Sequence, residues 1–165
     1  MSKFLPALAV AATALAAQPS SAQASLGPDA SACRSGGPAV LVNVRGFKSK
    51  TGKVRVQLYP ANQDFLAKGK WLRRVDLPVT SASMPVCVSV PRAGTYAVAV
   101  RHDADGNGKS GWNDGGGFSR NPSISLTDLK PKPGEVAISV GNGVKPVDVV
   151  LNYRRGLKIA PISKL

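Results

Sequence analysis

The chain has little of what most catalytic or metal-binding proteins are built from. It holds one histidine and two cysteines in 165 residues. A lone His102 with Cys33 and Cys87, and no C-x-x-C, cannot build an ordinary closed zinc site. No G-x-S-x-G surrounds a serine, and no glycine-rich phosphate loop precedes a helix. Aromatics are 5% of the residues and are not interleaved with the cations, so no stacking platform for nucleic acid is present. Acidic residues are scarce too, nine against 22 basic ones, for a net charge of +13. Such a surface favours anionic partners, and an envelope polymer or a glycan fits better than nucleic acid.

Only one long apolar run occurs, from Phe4 to Ala17 behind Lys3, and Ala22-Gln23-Ala24 closes it. A short basic start, an apolar stretch and an A-x-A site read as a signal peptide over 1–24. The alternative, a membrane anchor, needs about 20 apolar residues, and Pro6 interrupts this run. The expected product is a periplasmic or secreted monomer with no transmembrane segment. Export places Cys33 and Cys87 where a pair usually bonds, which favours a disulfide over catalytic thiol chemistry.

Residues 25–37 are rich in Ser, Gly, Ala and Pro and read as a flexible leader. Beyond them the apolar period is two, the mark of strands. Val40, Val42 and Val44 share one face; Val54, Val56 and Leu58 share another, and Gly46–Gly52 between them reads as a hairpin turn. Val86, Val88 and Val90 alternate with Cys87, which suits an external staple to the leader. Tyr96, Val98 and Val100 form an inward stripe, while Ala97 and Ala99 leave room for close packing on the other face. Val136, Ile138 and Val140, then Val147, Val149, Leu151 and Tyr153, complete the set. The expectation is an all-β, antiparallel, immunoglobulin-like or transthyretin-like sandwich of about seven strands over 38–153. Residues 154–165 read as a basic tail.

The most informative stretch is Asp103-Ala-Asp105-Gly-Asn107-Gly108-Lys109-Ser110-Gly-Trp112-Asn-Asp114. Asp103, Asp105 and Asn107 at alternate positions, the Lys109 carbonyl and Asp114 have the spacing of calcium ligands, with Gly108 at the sharp turn. Asp114 stands where such loops place Glu, Ser110 where paired loops place an apolar residue, and a strand precedes the loop. A helix-flanked sensor is therefore excluded, and affinity should be that of extracellular modules, about 10⁻⁴ to 10⁻³ M. The competing reading is a tight Asp-Gly/Asn-Gly turn with no ion.

The loop opens a long glycine- and proline-rich connection through Gly134, and such connections are usually functional. In it Trp112 and Phe118 either form a sugar-stacking patch or tuck the connection onto the sandwich. His102 beside Asp103 suggests a general base, but without a nucleophile partner a structural histidine at a strand end is the simpler reading. A non-enzymatic binding or structural module of the cell envelope follows. A calcium-dependent carbohydrate-binding or adhesion module is the alternative, and a hydrolase using His102 and Asp103 the third.

The run Gly94-Thr95-Tyr96-Ala97-Val98-Ala99-Val100-Arg101-His102-Asp103 leads into Asp105-Gly106-Asn107-Gly108-Lys109, and Gly117-Phe118-Ser119-Arg120-Asn121 follows. These motifs resemble the bacterial family known as domain of unknown function 2141, over about residues 39–153. The resemblance implies an exported single-domain sandwich and assigns no activity and no functional residue. The chain departs from the family pattern in a shorter connection after Asp114 and in the segment after Tyr153.

Overall fold

A computed structural model describes residues 25–162, and the expected signal peptide lies outside them. The domain is a β-sandwich. A three-stranded sheet, in the order β4-β1-β8, faces a seven-stranded sheet, β10-β9-β6-β5-β2-β3, with β7 also on β5. The strands are β1 (Ala39–Arg45), β2 (Lys53–Pro60), β3 (Arg73–Pro78), β4 (Ser83–Ser89), β5 (Gly94–Asp103), β6 (Gly115–Phe118), β7 (Ala137–Val140), β8 (Val144–Val150), β9 (Asn152–Arg155) and β10 (Lys158–Pro161). Two short helices are α1 (Ala30–Arg34) and α2 (Pro133–Val136). No helix among the described residues is long and apolar enough to cross a membrane.

The valine stripes read from the sequence meet between the sheets. Val40, Val42, Val44, Val54, Val56, Leu58, Val86, Val88, Val98, Val149 and Leu151 are fully buried there. A second cluster lies on the outer face of the large sheet. Ala97 and Ala99 leave the room that Tyr59, Phe65, Val136 and Phe118 fill. Central β5 is therefore covered on both sides.

Four expectations change. β1 and β2 are not a hairpin: β1 pairs with β4 and β8, β2 with β3 and β5, and their valine faces meet across the core. Alternation specifies which face is buried, not which strand lies alongside. The small sheet is also mixed rather than purely antiparallel, because β1 and β8 run parallel. Among the described residues there are ten strands rather than about seven. Finally, the basic tail is not a tail. The chain crosses between sheets at buried Leu151, and β9 and β10 then form an antiparallel hairpin at the edge of the large sheet.

The leader is likewise structured. Cys33, in α1, is disulfide-bonded to Cys87 of β4, with Cα atoms 6.1 Å apart. Leu26 O accepts the Cys87 amide at 2.9 Å. Asp29, 6% exposed, closes the side where β3 and β4 meet. Its carboxylate accepts from the Arg73 guanidinium on β3, and from Ser89 N (2.9 Å) and Ser89 Oγ (3.0 Å) on β4. Burial pushes this carboxyl up, but the Arg73 and Ser89 hydrogen bonds outweigh it and hold the group below its ordinary 3.8. A carboxyl depressed in the folded state contributes stability above its unfolded value and loses it as pH falls through the folded one. The melting temperature should therefore drop as pH is lowered below about 4. In Asp29→Asn the slope should be shallower, not flat, because Asp76 and Asp103 are shifted in the same direction. Melts across pH 2–7 check this, and an unchanged acid slope in the variant would exclude a stabilising role for the Asp29 carboxylate.

Candidate functional site

The site is built where three strands lie side by side. His102 on β5 is in register with Gly115 on β6, and Gly115 with Tyr153 on β9. Glycine in the middle lets the outer two side chains meet over it. The His102 and Tyr153 rings lie edge to face with centroids 5.9 Å apart, and His102 Nδ1 is 2.7 Å from Tyr153 Oη. A Cβ on Gly115 would overlap the tyrosine ring. Burial pushes the Tyr153 hydroxyl up to about 12, so it keeps its proton.

Tyr153 Oη also accepts the Lys48 amide at 3.1 Å, which leaves its own proton for His102 Nδ1. The imidazole thus carries its proton on Nε2 and donates it to Thr51 O at 2.9 Å. Phe47 packs edge-on at 5.2 Å. His102 is wholly buried with both nitrogens engaged. It stands at the end of β5 as a core side chain.

This clamp holds both ends of the 103–114 loop, because Asp103 follows His102 and Asp114 precedes Gly115. A second close approach supports the start of the loop. Gly52, at φ +76°, lies so near the Asp103 carbonyl that a Cβ would overlap it. Within the loop, Asp103, Asp105 and Asp114 each offer a carboxylate oxygen, all within 4.8 Å of one another. Asp103 is 2% exposed, Asp105 exposed and Asp114 half-buried. Asp103 Oδ2 accepts from Gly108 N (2.9 Å) and faces Arg101 Nη2 (3.4 Å). Asp103 Oδ1 is buried with no hydrogen-bond partner, an arrangement that costs free energy unless a proton donor or a cation approaches. Burial pushes this carboxyl up, yet the Gly108 amide and the Arg101 charge hold it below the usual range. It is therefore an anion at neutral pH.

Asp114 receives Ala104 N on Oδ1 (3.1 Å) and Gly111 N on Oδ2 (3.0 Å), tying the two ends together. Asn107 is turned inward on its neighbours. Its Nδ2 donates to Asp105 Oδ2 (2.6 Å) and its Oδ1 accepts the Lys109 amide (2.7 Å). So the three expected carboxylates lie together, and Asn107 is bonded to Asp105 and Lys109. Three of the nine acidic residues stand in this loop of a basic protein, and such an arrangement attracts a hard cation.

Two contributors were missed. Arg101 reaches into the loop, with Nη1 to Ser110 Oγ (3.0 Å) and Nη2 to Gly108 O (3.1 Å). Its position two residues before Asp103 puts both on one strand face, a signal that alternation carries. Arg154, read as tail, stacks on Trp112 with its guanidinium carbon 3.3 Å from the ring centroid. Nothing local in the sequence pairs residues 112 and 154. Of the two aromatics, Phe118 tucks against Phe65, with centroids 6.0 Å apart, whereas Trp112 is 75% exposed. Ser110, Trp112, Asp114 and Phe118 line a groove of about 550 Å³ beside the loop.

A family model for uncharacterised proteins conserved in bacteria, DUF2141, matches residues 42–148, which span β1 to most of β8 and include the whole loop. The chain belongs to the DUF2141 family. Searches of curated proteins and of solved structures gave no significant match. In this DUF2141 protein, residues 149–155 lie beyond the family match, yet they supply Tyr153 of the clamp and Arg154 of the groove.

The clamp makes a sharp contrast between adjacent glycines. Gly115→Ala should cost about 1–3 kcal/mol or more, as overpacking does. Gly116→Ala should be near neutral on packing grounds, since its Cβ would meet nothing closer than Val100 O at 3.9 Å. Urea unfolding of the two variants checks this, and equal stabilities would remove the clamp.

Proposed function

We propose that the protein is an exported, non-enzymatic β-sandwich binding module of the cell envelope, whose 103–114 loop is held by a calcium ion. The observation that carries the calcium reading is the partnerless buried Asp103 Oδ1, with carboxylate oxygens of Asp105 and Asp114 nearby. Arg101 already meets the opposite oxygen of Asp103, so the ion would take the Oδ1 side. Asp105, exposed and bonded only within the loop, can turn to meet it. Export is supported by the apolar leader and by the Cys33–Cys87 bond, which persists in oxidising compartments. The non-enzymatic reading rests on His102, the one histidine, having neither exposure nor a free nitrogen. The alternative of a carbohydrate-binding or adhesion module draws on exposed Trp112 at the groove.

Calcium at 10 mM should stabilise the fold by about 1.4–2.7 kcal/mol for a dissociation constant of about 10⁻³ to 10⁻⁴ M. That is a rise of roughly 4–10 °C in melting temperature over a chelated sample. Asp105→Ala, at an exposed position, should fold and lose most of the rise. No rise in the native protein, or an equal rise in the variant, would retire the calcium reading.

A further inference from the structure

The groove beside the loop has a chemistry that narrows its occupant. Its walls are chiefly aliphatic and aromatic: Trp112, Leu126, Leu129 and Ile159. Leu126 and Leu129 are 36% and 50% exposed. A second hollow shares Ile124, Asn152 and Ile159 with the groove and is lined also by Arg155 and Pro161. The first hollow, at about 550 Å³, falls within the size range of small-ligand clefts, about 300–1,000 Å³. Apolar side chains gathered in one open trough mark a binding surface more often than a solvated one.

Of the arginines in this trough, Arg101 faces the Asp103 carboxylate at 3.4 Å, whereas Arg154 is not neutralised. Arg154 has no carboxylate partner among the described residues. Its Nε donates to Gly156 O (3.0 Å), its plane lies on Trp112, and its Nη1 is buried without a hydrogen-bond partner. Arg101, on the same wall, leaves Nε in the same state. A buried guanidinium N–H without an acceptor is costly, and an oxyanion is the acceptor that guanidinium geometry matches best. Asp114 on the wall opposes an anion, but both its oxygens are occupied by backbone amides of the loop.

We propose that the groove binds an anionic single-chain lipid. The acyl chain would lie along Leu126, Leu129 and Ile159, and the phosphate head would meet Arg154. An acidic oligosaccharide fits less well. Its hydroxyls would face aliphatic walls, and Arg154 already covers one face of the only exposed indole. This proposal rests on the binding-module reading but not on calcium.

The test is calorimetric titration with lysophosphatidylglycerol below its micelle concentration. Lysophosphatidylcholine of the same chain, glycerol phosphate and an acidic hexasaccharide serve as comparison probes. The expected result is saturable one-to-one binding of lysophosphatidylglycerol, weakened about tenfold or more in Arg154→Gln. Leu129→Asp, at an exposed loop position, should weaken it as well. Both variants should keep whatever calcium-dependent melting shift the native protein shows, which separates loss of the groove from loss of the fold. Equal affinity for the choline lipid, whose phosphate is balanced by its own cation, would overturn the preference for an anionic head. Binding of glycerol phosphate or the hexasaccharide in place of the lipid would overturn the ligand class and leave a binding module standing. A calcium shift with no binding of any probe would overturn the proposal and leave the calcium reading intact.

Discussion

Everything specific about this sandwich depends on a tyrosine and a histidine meeting over a glycine. Tyr153 hydrogen-bonds His102 across Gly115, so β5, β6 and β9 are held in one register at the point where the long loop leaves and returns. The contact is buried, its donors and acceptors are matched, and its neighbours Phe47, Lys48 and Thr51 come from the crossover between the sheets. A satisfied buried network of this kind rigidifies what surrounds it. The consequence is a twelve-residue loop with fixed ends, on which three carboxylates are brought together and kept together.

The fold was legible where the apolar pattern is strict. Val40 to Val44, Val54 to Leu58 and Tyr96 to Val100 each show one buried face because the side-chain period of a strand is two. Extending that last stripe by one step would have placed His102 in the core, and the opposite stripe carries Arg101 and Asp103 together. What alternation cannot specify is strand partnership. The β1–β2 connection therefore looked like a hairpin although it crosses the sandwich. Nor did composition separate a charged strand from a charged tail. Arg154 and Arg155 follow buried Tyr153 directly, and only pairing with β6 and β10 reveals a hairpin there. The disulfide was legible because two cysteines leave one pairing. The gathering of carboxylates in the 103–114 loop was legible, since Asp-x-Asp-x-Asn-Gly spacing is local. Its inner geometry, with Asn107 engaged by its neighbours, depends on side-chain torsions that spacing does not encode.

Charge is distributed with a purpose consistent with this arrangement. The chain is strongly basic, yet a third of its acids stand in one loop. Half of the remaining six acids answer a specific arginine, as Asp29 answers Arg73, Asp76 answers Arg55 and Arg74, and Asp148 answers Arg45. Arg154 has no such answer among the described residues, and it stands on the wall of the groove that the loop also forms. Loop and groove share Ser110, Trp112 and Asp114, so whatever orders the first shapes the second.

In the proposed function the pinned loop is an oxygen cradle for a divalent cation, with Asp103 Oδ1 as its anchor. Diffraction from crystals grown in calcium tests it most directly. The expected result is an anomalous peak about 2.3–2.6 Å from Asp103 Oδ1, with oxygens of Asp105 and Asp114 in the same shell. A loop that keeps its carboxylates bonded only to its own amides and to Arg101, with no such peak at millimolar calcium, would contradict it.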